Sequence, residues 1–542
     1  LASRFVALIS KNKLFSIFLI LTILVASSAS VLAPAQRSNP TLPTITVAGK
    51  GSFDLSAYPS LDKRVIGLVN LFRDYYKVTD LSNASVNDLS MLPPFYTHYF
   101  LPFTTYGMAM IADSTPNYRT DYYEEIFHKL IAMMNSSTME RLEWITPNFT
   151  NESYSGLGNS FRGPTNIMWT GHYALMELFY YSLFRDDRYN GEIQGYMDQW
   201  NASLTSATTW DGNSSGGLGR WGVGLIPCEP YIVFVQCNSI PFYAMRLYDS
   251  LHQTTYQEAS LPGIGWWQAN MINSRGIPID GYYVAEPISR HKPQAIANQE
   301  YLPPSYPGPA LTRGTADPKV SAYGSAWAIM FYDAMGMTQL AETLYGNWKE
   351  AFVHYSTDDT AYVVESYYFP SEFGVTEYVA NVFAYFCTNE LGDAALNRKL
   401  ENWFFGPFEG RWVGDEYEFD TSALGSLGSF TYPVINFAWA WAHADSTLSD
   451  LMTPRSDAFF TKPCISSQST MDGLFVYQAI YDEAKGAFIL TVEAESGAVL
   501  TFDNYPGVQG VYTAQGTYSG WSQNGSQMLL TLEPGTYSFV IT

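Results

Sequence analysis

The sequence predicts a mainly α-helical chain, a toroid of helices followed by a small C-terminal antiparallel β-sandwich domain. Three observations carry that expectation. Apolar residues recur at helical spacing from about residue 60 to 455, with helix, loop and helix repeating. The composition then changes near Pro463 and Cys464. From 473 to 542 short runs (GLFVYQAIY, AFILTVEA, MLLTLEPGTYSFVIT) alternate apolar and polar residues between Gly, Asn and Pro turns. The expected divisions are 1–35 as a targeting segment, 36–58 as a linker, 59–460 as the helical domain and 465–542 as the β domain.

The targeting segment comes first. Arg4, Lys11 and Lys13 precede the uncharged run Leu14 to Ala33, and Ala33-Pro34-Ala35 offers a cleavage site for a secretory signal. At about 20 residues the run is also long enough to span a bilayer. A cleaved signal and a retained membrane anchor therefore both stand, and either implies export. Seven N-x-[ST] triplets (Asn83, Asn135, Asn148, Asn151, Asn201, Asn213 and Asn524) fit an exported glycoprotein. Residues 34–56 are rich in Pro, Ser, Thr and Gly and read as a linker or arm.

Within the helical part, Pro164-Thr165 opens a stretch to Arg185 with Met168, Leu175, Leu178 and Phe184 at helical spacing. Ile240 to His252, Ala322 to Met335 and Met337 to His354 follow. Tyr378 to Glu390 and Ala394 to Phe405, joined through Gly392, read as a helix hairpin, and Phe437 to Leu448 closes the series. No repeat of fixed period is visible, and long loops such as 295–319 interrupt the helices.

Composition narrows the function. Hydrophobic residues form 47% of the 542 residues and charged residues 15%, enough apolar material for a large core. The net charge of −22 repels phosphate backbones, so no nucleic-acid partner is expected. Four cysteines are too few for a disulfide scaffold, and each has to be read by its position.

Candidate chemistry centres on His172 and the pair Cys228/Cys237. Met168 and His172 are four apart, hence on one helix face, and Gly171 between them permits a close approach. A core histidine bonded to a carbonyl is the plainer reading of His172. Cys228-Glu229-Pro230 is extended, and a helix from about 240 leaves Cys237 near its N-terminus, where the dipole lowers a thiol's pKa. Glu229 is a carboxylate able to exchange protons with Cys228. A disulfide between Cys228 and Cys237 is the structural alternative in an oxidising compartment. Their spacing, without a CxxC or a His cluster, does not suggest zinc, and no metal is expected. Cys387 reads as a buried thiol, while Cys464 has no readable role. Tyr323 and Trp327 lie in SAYGSAW at a helix start, where aromatic residues are usually core.

NIMWTGH (166–172), CEPYIVFVQCNS (228–239), LYDSLHQTTY (247–256) and SAYGSAW (321–327) together resemble the linalool dehydratase-isomerase family in order and approximate separation. The Tyr106-Gly107 helix matches more weakly. The resemblance spans about 60–450 and implies an (α/α)6 barrel with a pocket at one mouth. It further implies cofactor-free interconversion of geraniol and linalool and dehydration of linalool to myrcene, with a small hydrophobic alcohol as substrate. By position it assigns pocket roles to His172, Cys228, Glu229, Cys237, Met168 and Tyr323. Asp74, in LVNLFRDYYKVTD (68–80), is the best match for a family aspartate, and Tyr75 or Tyr76 for a tyrosine. Trp327 is added as a substrate-binding residue. Pockets of this family can be completed by a neighbouring subunit, so a homo-oligomer belongs among the expected partners. The β domain and the 295–319 insertion depart from the family pattern. The competing expectations are an extracellular glycoside hydrolase or polysaccharide lyase with two carboxylates in an aromatic groove, and a non-catalytic glycosylated surface protein.

Overall fold

In a computed structural model of the chain, the residues described are 37–75, 97–136, 166–210, 212–228, 232–273, 275–279, 281–283, 320–364, 375–421 and 435–542. The N-terminal apolar run therefore lies outside the described residues, as do the sequons at Asn83, Asn148 and Asn151. Among the described residues no helix is long and apolar enough to cross a membrane.

The chain enters through a hairpin, β1 (Thr44–Val47) and β2 (Gly51–Asp54), paired antiparallel. Paired strands thus lie within the 36–58 segment read as a linker or arm. Ile45, Val47, Phe53 and Leu55 alternate inward and share a core with Ala487, Ile489 and Val540 of the C-terminal β region. The polar, turn-rich composition concealed four apolar residues at a period of two.

The helices follow as α1 (Lys63–Tyr75), α2 (Thr97–Ser114), α3 (Asp121–Met134), α4 (Ile167–Phe184) and α5 (Asn190–Thr205). Strand β3 (Ile232–Phe234) runs directly into α6 (Val235–His252), then α7 (Leu261–Asn270) and β4 (Gly281–Tyr283), which pairs with β3. Next come α8 (Ala322–Ala334), α9 (Thr338–Phe352), the hairpin β5 (Val353–Thr357) and β6 (Thr360–Val363), α10 (Val375–Glu390) and α11 (Ala394–Phe405). A second hairpin, β7 (Glu409–Val413) and β8 (Glu416–Asp420), precedes α12 (435–442) and the short α13 (Leu448–Leu451).

Two helix types separate by pattern. The sequence of α4, IMWTGHYALMELFYYSLF, is apolar on every side and is buried nearly throughout. Helix α8 is the same. Helix α9 buries only Ala341, Leu344, Tyr345, Trp348 and Phe352, one stripe at helical spacing, and presents its polar face outward. Packing follows from this division. The apolar helices neighbour one another in order: α2 on α4, α4 on α6, α6 on α8, and α8 on α10. Trp441 of α12 stacks on Phe386 of α10, and a Cβ added at Gly107 of α2 would meet its ring. The helix after each member packs back on it in the pairs α2–α3, α4–α5, α8–α9 and α10–α11.

The C-terminal region is antiparallel β, as the alternation predicted. Its strands are β9 (Cys464–Gln468), β10 (Leu474–Asp482), β11 (Ala487–Ala494), β12 (Ala498–Asp503), β13 (Val511–Thr513), β14 (Gly516–Tyr518), β15 (Trp521–Asn524), β16 (Gln527–Leu532) and β17 (Gly535–Ile541). They form one sheet ordered β10-β11-β17-β13-β14 and another ordered β15-β16-β12-β9. Phe488 of the first meets Phe502 of the second edge to face at 5.1 Å between ring centroids. The β region is tied to the helices by buried polar contacts. Lys63 Nζ of α1 lies 2.7 Å from both carboxylate oxygens of Glu493, and Asn117 Nδ2 donates to Pro463 O at 2.9 Å.

Candidate active site

The apolar helices bring their aromatic side chains to a common centre. Phe103 of α2 has ring centroids of His172, Trp327 and Phe383 within 5.5, 5.1 and 5.0 Å, all at steep angles. Trp327 of α8 stacks parallel on Phe383 of α10 at 5.2 Å and lies 5.3 Å from His172. Such offset and edge-to-face contacts place ring hydrogens against π faces, each adding about 0.5–1.5 kcal/mol beyond area burial.

His172 stands on the second turn of α4 and is 1% exposed. Two bonds fix the start of that helix: Thr170 Oγ1 donates to Asn166 O at 3.0 Å, and Trp169 Nε1 donates to Met134 O at 3.0 Å. The imidazole is held by Tyr106 of α2, whose hydroxyl lies 2.7 Å from Nδ1. Burial pushes the Tyr106 phenol well above its ordinary pKa, so it keeps its proton. The phenol and Nδ1 share one hydrogen bond, in which the hydroxyl donates to a bare Nδ1 or accepts from Nδ1–H according to the imidazole tautomer. The plainer expectation, a histidine bonded to a backbone carbonyl, does not describe this Nδ1.

Gly171 has a packing reason. A Cβ there would stand 3.2 Å from Cδ of Pro241 and 3.6 Å from Cγ2 of Ile240, both on α6. The close approach anticipated at this glycine is that of the neighbouring helix.

Helix α6 begins at Val235, five residues before the expected start at 240. The helix runs through Pro241. Lacking an N–H, Pro241 cannot donate to the Cys237 carbonyl four residues earlier. Cys237 thus lies inside the first turn, 2% exposed, and Cys228, in the segment before β3, is fully buried. Neither is in a disulfide; both are thiols, as are Cys387 and Cys464. Burial raises the Cys387 and Cys464 thiols above their ordinary pKa.

The other expected residues distribute unevenly. Tyr323, half-buried at the start of α8, has its ring 6.0 Å from Phe383, at the edge of the aromatic cluster. Ser321 caps that helix by accepting from Gly324 N at 3.0 Å. Met168 is half-buried on α4 and packs against the core. Trp327 is inside the cluster at 1% exposure, so it forms its wall as a fully packed ring. Glu229 lies outside the described residues, and so does the side chain of Tyr75. Asp74 is not gathered with the rest. Its side chain is 61% exposed at the end of α1, 3.6 Å from Arg73 Nε, and it helps to raise the Glu416 carboxyl, which burial lifts first. Position in the sequence had suggested Asp74; a water-facing last turn of the helix separates it from the cluster.

Tyr106 is the side chain of the candidate site that sequence reading left without a role. Its helix was noticed only as a weak match, and a tyrosine within an apolar run carries no signal of its partner. Among the described residues no group of three or more His, Cys, Asp or Glu side chains could hold a metal ion.

Comparison with known proteins bears on this region. A likeness to the crystal structure of Ara127N-Se, a GH127 β-L-arabinofuranosidase from Geobacillus stearothermophilus T6, has 12% identity and a TM-score of 0.32, covering 88% of this chain and 75% of that one. At that TM-score it carries no argument about fold or chemistry. The model of the family Linalool dehydratase/isomerase matches residues 98–299, the stretch from α2 past β4 that holds Tyr106, Met168, His172, Cys228 and Cys237. The match over 98–299 bears out the family resemblance read from the sequence and supports a lyase or isomerase.

Proposed function

We propose that the chain is a hydro-lyase/isomerase acting on an allylic terpene alcohol such as linalool or geraniol, by acid–base catalysis with Cys, His and carboxylate side chains and without a cofactor. The observation that carries this reading is the buried Tyr106–His172 pair at 2.7 Å, set among aromatic rings within the stretch that matches the family. The thiol state of Cys228 and Cys237 supports it further, since a disulfide would leave neither sulfur a proton to give.

The chemistry suits these groups. One thiol protonates the departing hydroxyl, the C–O bond breaks, and water leaves an allylic cation. The other sulfur, as thiolate, takes a proton from the neighbouring carbon, whose C–H electrons become the new C=C bond. The pair has then passed one proton from sulfur to sulfur, and His172 with Glu229 returns it. Isomerisation stops earlier, when water re-adds at the other end of the cation and the resulting oxonium returns its proton to the first sulfur, now a thiolate. The first-turn N–H groups of α6 favour negative charge at Cys237. An aromatic face at the edge of the cluster, such as that of the half-buried Tyr323, would favour the cation by about 0.5–2 kcal/mol. Tyr323 and Met168 would bound the apolar end of the pocket.

The proposal includes an (α/α)6 barrel. The order α2, α4, α6, α8, α10, α12, with Trp441 reaching both α10 and α2, supports closure of an inner ring. It also takes the chain as exported, with a cleaved signal or a retained anchor, and glycosylated at exposed sequons such as Asn213 and Asn524. Asp74 enters only through a second copy of the chain. The test is turnover of linalool by reduced protein. Cys228→Ala and Cys237→Ala, each with a wild-type unfolding midpoint, should lose turnover; retention in both removes the thiols from the mechanism.

A further inference from the structure

We infer that Asn238 is a positioning residue that holds Cys228 and Cys237 in register, an inference that rests on the proposed role of the two thiols. Asn238 follows Cys237 on α6 and is fully buried. Its Oδ1 accepts from Ile226 N at 2.8 Å, while its Nδ2 donates to Ile226 O and to Phe234 O, both at 2.9 Å. The pair of bonds to Ile226 reproduces what a neighbouring β-strand would offer one residue, so the amide acts as a substitute peptide group. Ile226 lies two residues before Cys228, and Phe234 is the cap of the helix that carries Cys237. A single side chain thus binds the segment bearing one thiol to the helix bearing the other. The adjoining Pro227 carbonyl accepts from Ile167 N at 3.4 Å, which links the same segment to the start of α4, five residues before His172.

The device recurs where no candidate catalytic residue stands. On α10, Asn381 Oδ1 accepts from Val363 N at 2.8 Å and its Nδ2 donates to Val363 O at 2.9 Å. On α12, Asn436 Oδ1 accepts from Phe419 N at 2.8 Å. In all three places a buried asparagine near the start of a described apolar helix grips the backbone of the segment leading toward it. Only at Asn238 does the gripped segment carry a candidate catalytic thiol. Asn381 is therefore a built-in control for the purely structural part of the effect.

The experiment uses the reduced full-length chain, with Asn238→Asp and Asn381→Asp. Each replaces a donating Nδ2 with an oxygen facing carbonyl oxygens. Unfolding midpoints, kcat and KM for linalool, and the iodoacetamide alkylation rate of each cysteine by peptide mass spectrometry are read together, with Cys464 as internal reference. Both variants should lower the midpoint. Asn238→Asp alone should speed alkylation of Cys228 and Cys237 by about tenfold over Cys464, the scale of one or two buried hydrogen bonds. It alone should lower kcat by about tenfold or more with KM little changed, as expected when reacting groups are misplaced rather than binding lost. Should Asn238→Asp not fold, Asn238→Ser keeps a bond to the Phe234 carbonyl and releases Ile226 only. Equal alkylation in the Asn238 and Asn381 variants, or no acceleration in either Asn238 variant, overturns the inference. The alkylation readout needs no substrate, so a wild-type chain inert toward linalool removes the proposed function and still leaves the clamp decided.

Discussion

Replacing Tyr106 with Phe isolates the contact on which the candidate site turns. The change deletes one oxygen from a fully buried ring and leaves its packing against Phe103, Phe179, Phe331 and Trp441 in place. What goes is the 2.7 Å bond from the phenol to His172 Nδ1. Removing one partner of a buried hydrogen bond costs about 1–3 kcal/mol, so the unfolding free energy should fall by that amount. The functional effect is at least comparable to the stability effect. Without the phenol at Nδ1, the imidazole loses the partner that fixes its tautomer and orientation, and a misdirected acid–base group loses about 10²-fold or more in rate. The assay is nitrogen-15 NMR of histidine-labelled protein, alongside kcat for linalool and urea unfolding. Wild type should report His172 in a single tautomer; Tyr106→Phe should show a mixture and the lower kcat. Wild-type tautomer and wild-type turnover in the variant would refute the reasoning.

Two further outcomes follow from packing and burial. Gly171→Ala drives a Cβ to 3.2 Å from a proline ring anchored in α6, so it should destabilise by about 1 kcal/mol despite alanine's better helix propensity; a raised unfolding midpoint would contradict this. Burial pushes the Glu390 carboxyl up to about 7, although it accepts from Leu448 N, Ser449 N and Ser449 Oγ. A folded pKa above the unfolded one means that its stabilising contribution is complete below pH about 4.5 and is lost as pH rises through 7. The loss is on the order of 3 kcal/mol. Urea unfolding at pH 5 and pH 8 should show a smaller pH difference for Glu390→Gln than for wild type, and parallel profiles would oppose the assignment.

Much of this fold was legible in sequence because its signals are periodic. The all-round apolarity of Ile167–Phe184 and the single stripe of Thr338–Phe352 distinguish buried from half-exposed helices by composition alone. The alternation after Leu474 specified antiparallel strands. Local signals failed where tertiary contact decides. The 44–54 hairpin is polar on one side, and its apolar side is explained only by the sheet it covers. Helix α6 was expected from about 240, yet it starts at Val235 and runs through Pro241, whose ring packs beside Gly171 of α4. At the site, His172 and Cys237 stood out as residue types on recognisable segments. Tyr106 did not, because its role comes from a partner 66 positions away. The asparagine clamps were equally hidden: Asn238, Asn381 and Asn436 share geometry without a fixed sequence period.

The central claim is tested most directly by the products formed from linalool. Purified reduced protein, incubated anaerobically with linalool and sampled by gas chromatography with mass spectrometric detection, should yield myrcene and geraniol. The Cys237→Ala protein, folded to the same midpoint, should yield neither above the buffer blank. Unconverted linalool with the wild-type chain would contradict the account, as would equal product from the Cys237→Ala protein.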